Sequence, residues 1–228
     1  MIRWDEPGYV VAFTLRTGGV SSGVYESLNL TTGTGDGRAL VDENRRLACV
    51  SLGLDAERLA FNRQVHSPAV HRAHDGRRGE PGDGLWSEEP GLPMLALSAD
   101  CLPIAIARRD GRRALAVLHA GWRGLAEGIV AAGVAALGAG EKAAVIGPAI
   151  GPCCYEVGDE VASLFDEDLT VERKLDLWTA ADRALRAAGV GAVERLDLCT
   201  RCHPELFFSH RRSGRARGAQ GVIGAVAG

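Results

Sequence analysis

The sequence has no apolar run that approaches the length of a bilayer span, and its opening stretch MIRWDEPGYVVAF lacks the charged-then-apolar pattern of an export leader. A soluble, cytoplasmic protein with no membrane partner is therefore expected. Charge of one sign is scarce too: the formal net charge is −3 at pH 7, which gives no electrostatic case for nucleic acid. The one local exception, Arg211, Arg212, Arg215 and Arg217, reads as a solvated surface, with contact to an anionic ligand as the alternative. No Pro/Ser-rich or charged linker and no internal repeat interrupts the 228 residues, a length sufficient for one sizeable core, so a single domain over 1–228 is expected. The glycine loop RTGGVSSGVYESLNL lacks the Gly-Lys-Ser/Thr ending of a phosphate-binding loop and no long helix clearly follows it. Turn chemistry at Gly18-Gly19 and Ser21 to Gly23 is the reading that remains. In a reducing cytosol the cysteines Cys49, Cys101, Cys153, Cys154, Cys199 and Cys202 read as thiols or ligands rather than staples.

What the chain does have is concentrated between Leu95 and Gly124, LALSADCLPIAIARRDGRRALAVLHAGWRG. Three short apolar runs are separated by Cys101 and by an Asp110-Gly111 turn, with His119 just after the third. Leu125, Ile129, Ala132 and Ala136 then repeat at the spacing of one helix face, which puts His119 at a strand-to-helix junction. Further strands are predicted at Val10 to Leu15, Leu59 to Ser67, Ala143 to Ile146, Val193 to Leu196 and Val222 to Val226. Helices are predicted over Gly37 to Leu52, with Leu40, Leu47 and Val50 inward, over Asp159 to Phe165, where Asp159 caps, and over Leu175 to Ala188. Arg45 and Arg46, side by side on the first helix, face different directions, so at most one reaches a site. The Gly/Pro-rich apolar loop GPAIGPCCYEVG suits a wall or a lid.

Cys199-Thr200-Arg201-Cys202-His203 fits the form of c-type haem attachment, but without a leader haem is disfavoured. Zinc would need a second pair, and the adjacent Cys153-Cys154 makes a poor one because neighbouring side chains diverge; a structural role is the default. His66, Cys101 and His119 together offer a pattern of three N/S ligands with a vacant fourth position, that of a catalytic zinc ion. By spacing alone His71 and His74 compete with His66. Rival readings are a blue-copper set with Met94, a Cys101 nucleophile with His119 as base, and a buried cysteine beside unrelated histidines.

The segments RTGGVSSGVYESLNL, GDGRALVDENRRL, QVHS, SADCLPI, LHAGWRGLAEGIV, IGPAIGPCCYEVG and FFSHRR together resemble the successive blocks of the laccase-domain, YfiH-type family of purine nucleoside phosphorylases, from about Arg16 to Val226. The resemblance implies an α+β fold, a single-domain four-layer α/β/β/α sandwich with mixed sheets. It implies zinc-dependent phosphorolysis of adenosine, inosine, guanosine and methylthioadenosine, deamination of adenosine, and purine nucleosides and inorganic phosphate as partners of a monomer or homodimer. Alternatives are a peptidoglycan-precursor editing hydrolase, a cysteine-nucleophile hydrolase and a copper-dependent polyphenol oxidase. A multicopper cluster needs more imidazoles than the 6 present, although copper can occupy a zinc site in vitro. By the resemblance the metal ligands are His66, Cys101 and His119, and Arg45 lies near the pocket. Asp83, Asp100 and Glu156 are candidate proton relays, Asp100 alternatively orienting a histidine ligand. Arg45, Arg123 and the N–H groups of Ala120 to Gly124 are candidates for phosphate, and Tyr155 for substrate. The departures, His210 where Tyr is common and GDGLW for the usual ADALVT with Asp83 kept, bear on substrate preference.

Overall fold

Alternation along one strand explains the layering. Between residues 102 and 108, Leu102, Ile104 and Ile106 face one apolar cluster while Ala105 and Ala107 face another, so both faces of the strand are covered. The computed structural model describes residues 1–228. Its strands in chain order are β1 (Ile2–Trp4), β2 (Tyr9–Phe13), β3 (Ala60–Arg63), β4 (Val70–Arg72), β5 (Arg78–Pro81), β6 (Gly84–Ser87), β7 (Met94–Ser98), β8 (Leu102–Arg108), β9 (Ala114–Ala120), β10 (Lys142–Ile146), the short β11 (Thr170–Val171) and β12 (Lys174–Leu175), β13 (Ala192–Arg195) and β14 (Gln220–Val226). The α-helices are α1 (Arg38–Val50), α2 (Trp122–Ala126), α3 (Ile129–Ala136), α4 (Asp159–Ala162), α5 (Leu177–Ala187) and α6 (His210–Ser213).

Two six-stranded mixed sheets result, in the orders β1-β2-β14-β7-β3-β5 and β13-β10-β8-β9-β6-β4. In the first, β3 runs parallel to both β5 and β7; in the second, β4 pairs parallel with β6 and β10 with β13, and the remaining ladders are antiparallel. Phe13, Met94, Ala96 and Val222 of the first sheet meet Ala105, Ala107, Leu115 and Val117 of the second. Helices α3 and α5 cover the outer face of the second sheet through Ile129, Val130, Ala181 and Leu185. Helix α1 covers that of the first, with Ala48 and Cys49 against Ala12, Leu95 and Ile223. The fold is thus α+β, an α/β/β/α sandwich. The chain passes from the first sheet to the second three times, between β3 and β4, between β5 and β6, and between β7 and β8. The first of these crossings carries His66, the second Asp83 and the third Cys101.

Three expectations about helices are corrected. The buried face of α1 is Val41, Asn44, Arg45, Ala48 and Cys49, whereas Leu40 and Val50 are exposed. The apolar pattern missed this because Asn44 and Arg45 are buried polar groups that hold carbonyls of the preceding loop: Asn44 Nδ2 donates to Asn29 O at 2.9 Å and Arg45 Nε to Leu30 O at 2.9 Å. The helix after His119 is broken into α2 and α3 at Gly128, whose φ of +93° is left-handed. Finally, Gly158 rather than Asp159 occupies the cap position of α4.

The two candidate faces of α1 are separable by denaturation. Val41 is 0% exposed and Val50 57%. Val41→Ala is expected to cost about 2 kcal/mol in urea unfolding, and Val50→Ala to stay within about 0.5 kcal/mol of the parent.

Candidate metal centre and its cavity

One buried carboxylate organises the centre. Asp83, just before β6, has a side chain with no exposure. It accepts the backbone N–H groups of Val65 at 3.1 Å, His66 at 2.9 Å and Ser67 at 2.7 Å, as well as the Ser67 hydroxyl at 2.9 Å. Its fifth partner is His119 Nδ1 at 2.8 Å. His119 is the penultimate residue of β9, and its own N–H donates to the Asp83 carbonyl at 2.7 Å. Asp83 therefore shapes the turn that presents His66 and orients the ring of His119, leaving Nε2 of that ring as the free donor atom.

The third donor comes from the β7–β8 crossing. Cys101 Sγ lies 3.8 Å from His66 Nε2, the two imidazoles meet edge to face with centroids 4.8 Å apart, and the donor atoms of all three residues lie within 4.8 Å of one another. His66 (φ +61°) and Asp100 (φ +100°) both sit in the left-handed region that side chains disfavour. Asp100 is held there by three contacts: its carboxylate accepts from the Thr200 hydroxyl at 2.6 Å and the Arg211 N–H at 2.7 Å, and its carbonyl from Ile150 N–H at 2.9 Å. The Ser98 hydroxyl donates to the Cys101 carbonyl. Gly121 closes the centre from beneath: a Cβ there would stand 2.9 Å from the His66 ring and 3.0 Å from Cys101 Sγ.

Burial disfavours every charged form here, and the neighbours decide the outcome. Burial would raise the Cys101 thiol, but the facing His119 and His66 hold it at about 6. Burial would lower His119, but the Cys101 thiolate and Asp83 raise it to about 9. For Asp83 the hydrogen bonds from His119 and the 65–67 backbone outweigh burial and keep the carboxylate ionised far below neutrality. Without a metal, then, the centre holds a thiolate beside an imidazolium. Two neutral imidazole nitrogens and a thiolate, one imidazole buttressed by a carboxylate, suit a divalent zinc ion with one position left for a reactant.

The centre opens into a cavity of about 820 Å³. Arg45 lines it, its guanidinium 4.2 Å from the Phe61 ring; burial lowers its pKa to about 10, so it remains cationic at neutrality. Arg46 instead pairs with Glu43 on the outer face of α1. Asp100 and Tyr155 also line the cavity, and Arg211 stacks 5.0 Å from the Tyr155 ring. Arg123 and Glu156 are absent from the lining: Arg123 is exposed over Trp122, and Glu156 borders a neighbouring cleft, its carbonyl accepting from Arg211 at 2.7 Å. His71 lies on β4 and His74 in an exposed turn, both away from the three donors.

The basic cluster near the C-terminus is not simply a solvated face. Arg211 and Arg217 line the cavity, and the Nε of Arg217 is buried without a hydrogen-bond partner. Sequence reading also missed Phe61, Asn62, Arg63 and Gln64, which line the same wall from β3 and just after it. Their position immediately before His66 on a strand end was the available signal.

The family model described as multi-copper polyphenol oxidoreductase laccase matches residues 10–226. The chain is 38% identical to a purine nucleoside phosphorylase of Pseudomonas aeruginosa, over 93% of this chain and 92% of the relative. It is 33% identical to the purine nucleoside phosphorylase YfiH of Escherichia coli, over 92% and 91%. The crystal structure of Neisseria meningitidis protein NMB0706 superposes with a TM-score of 0.89 at 33% identity, covering 98% of this chain and 96% of that one. That of YlmD from Geobacillus stearothermophilus gives 0.89 at 31% identity, with 97% and 93% covered.

Two outcomes follow from the electrostatics of the centre. With metal removed, alkylation of Cys101 by iodoacetamide should have its midpoint near pH 6, the thiolate disappearing as pH falls through that value. His119→Ala should move the midpoint up toward the ordinary thiol range, about 8.5; an unchanged profile in this variant contradicts the pairing. Asp83→Asn, checked for folding by circular dichroism, should weaken zinc binding by about 10–100-fold in competition with a chelating dye.

Proposed function

Since the chain belongs to the laccase-domain, YfiH-type family, we propose that it is a zinc-dependent purine nucleoside phosphorylase that also deaminates adenosine. The observation that carries this reading is the juxtaposition of a three-donor metal centre with a wall of arginines inside one cavity. A nucleoside and an anion need to be held side by side for phosphorolysis, and the cavity, at about 820 Å³, falls in the range of small-molecule sites.

In phosphorolysis an oxygen of inorganic phosphate forms a bond to C1′ of the ribose as the C1′–N9 bond breaks. The electron pair of that bond leaves with the purine, which takes up the proton that the attacking phosphate gives up, and the sugar 1-phosphate remains (ribose 1-phosphate from adenosine). The ribosyl centre carries oxocarbenium character, so the protein's task is to hold the anion close and to assist the departing base. Arg217, with an unpartnered buried Nε, and Arg45, cationic beside Phe61, are the groups proposed to hold phosphate. Helix α2 is only five residues long, so the anion is assigned to these side chains and not to its N-terminus. Burial above all raises the Tyr155 phenol, so its O–H stays protonated as a hydrogen-bond donor facing the cavity, available to the purine. Both carboxylate oxygens of Asp100 are already hydrogen-bonded and Asp83 has five donors, which suits both to positioning ligands rather than carrying protons.

His66, Cys101 and His119 would hold the zinc ion, which when bound would supply Lewis acidity and lower the pKa of water. In deamination, water adds at C6 of adenine and the 6-amino group leaves as ammonia. Adenosine, inosine, guanosine and methylthioadenosine are the proposed phosphorolysis substrates.

Incubation with adenosine, with and without phosphate, separates the reactions by chromatography. Adenine and ribose 1-phosphate that appear only with phosphate report phosphorolysis; inosine in both conditions reports deamination. Purine products no higher than those of Cys101→Ala would overturn the assignment and favour hydrolysis of a peptidoglycan precursor. Arg217→Met should raise the KM for phosphate by roughly 10–100-fold, as loss of a charged hydrogen bond costs about 1.5–3 kcal/mol. Tyr155→Phe should lower kcat and leave that KM nearly unchanged.

A further inference from the structure

We propose that Cys153, Cys154, Cys199 and Cys202 form a second metal centre, a closed all-thiolate zinc site that ties the 147–158 loop to the 199–203 turn. The four sulfurs lie within 4.8 Å of one another. Cys202 Sγ is 3.7 Å from Cys153 Sγ and 3.4 Å from Cys154 Sγ. Zn–S bonds of about 2.3 Å at tetrahedral angles put ligand sulfurs about 3.8 Å apart, so the set can take up a single ion with small side-chain adjustments. A disulfide, by contrast, requires about 2.05 Å, and all six cysteines of the chain are free thiols.

The backbone explains how adjacent cysteines share one ion. Side chains of Cys153 and Cys154 would point to opposite faces only in an extended strand. Here the segment is a tight turn in which the N–H groups of Cys154 and Tyr155 both donate to the Gly151 carbonyl, at 2.9 and 3.0 Å, so both sulfurs approach Cys202. The divergence expected from adjacency is therefore corrected. The partner turn is docked by the bridge of Ala149 with Cys199 and by Thr200 N–H donating to the Ala149 carbonyl at 3.0 Å. Cys199 Sγ accepts the Gly151 N–H at 3.3 Å, the kind of amide contact that stabilises thiolate charge.

With four protein ligands no position is left for a reactant, so the site is structural. Metal uptake by four thiols releases their protons and changes no oxidation state. Its consequence for the cavity runs through two residues. Thr200, between two of the cysteines, donates its hydroxyl to Asp100 beside Cys101, and Tyr155 follows Cys154 directly into the cavity wall. A set of four thiolates favours zinc over the harder divalent ions. The reading is independent of the proposed reaction.

Metal content and cobalt spectroscopy of the full chain test it. Zinc-replete wild type should hold a second equivalent of zinc beyond the first centre. Cys101→Ala should keep that equivalent and, after exchange into cobalt, show strong thiolate-to-cobalt charge transfer with tetrahedral visible bands. Added to the Cys101→Ala background, Cys202→Ser should abolish those bands, and Cys202→Ser alone should unfold at lower temperature while retaining metal at the other centre. If Cys202→Ser does not fold, Cys153→Ser, at an exposed position, is expected to give the same spectral loss. Cys101→Ala protein that takes up neither zinc nor cobalt, or a Cys154–Cys202 disulfide found by mass spectrometry of the protein purified without reductant, would overturn the proposal. Iron bound in place of zinc would overturn the identity of the ion.

Discussion

The hydrogen bonds of the Asp83 carboxylate hold this structure's chemistry in place. A charge with no solvent access is costly unless fully partnered, and Asp83 is partnered by three successive N–H groups, a hydroxyl and an imidazole. Those same partners are the backbone that presents His66 and the ring of His119. The energy that keeps the carboxylate buried therefore also fixes the relative position of two candidate metal donors from different elements.

The sheet topology supplies the third donor and the cavity. Of the three chain crossings from the first sheet to the second, the β3–β4 and β7–β8 crossings each place one donor and the β5–β6 crossing places Asp83, and residues with left-handed φ, His66 and Asp100, mark the two donor turns. Such conformations persist only where surrounding contacts hold them, and here Thr200, Arg211 and Ile150 do so for Asp100. The turn that contributes Thr200 contains Cys199 and Cys202, so the sulfur cluster and the three-donor centre share a wall.

Much of this was readable from the chain alone, because local signals and tertiary packing agree along the central hairpin. The apolar runs around Cys101, the Asp110-Gly111 turn and the late strand through Val222 to Val226 all form as expected, since alternation and turn residues are enforced by both covered faces. The inward face of α1 was not readable: its buried Asn44 and Arg45 earn their place through carbonyls some fifteen residues upstream, which periodicity does not register. Nor was the approach of Cys153-Cys154 to Cys202, which depends on a turn at Gly151 rather than on spacing. Arg217 looked like surface because a run of arginines usually is; only the folded chain shows its Nε unpartnered inside the cavity.

Anomalous diffraction collected on either side of the zinc absorption edge from crystals of the protein grown without chelator is the most direct test of the central claim. The account predicts a peak bonded to His66, to Cys101 Sγ and to His119 Nε2, with Asp83 on the far nitrogen of that ring and one coordination position open to the cavity. An edge signal absent from these three donors in zinc-loaded crystals, or a peak held by His71 or His74 instead, would contradict it.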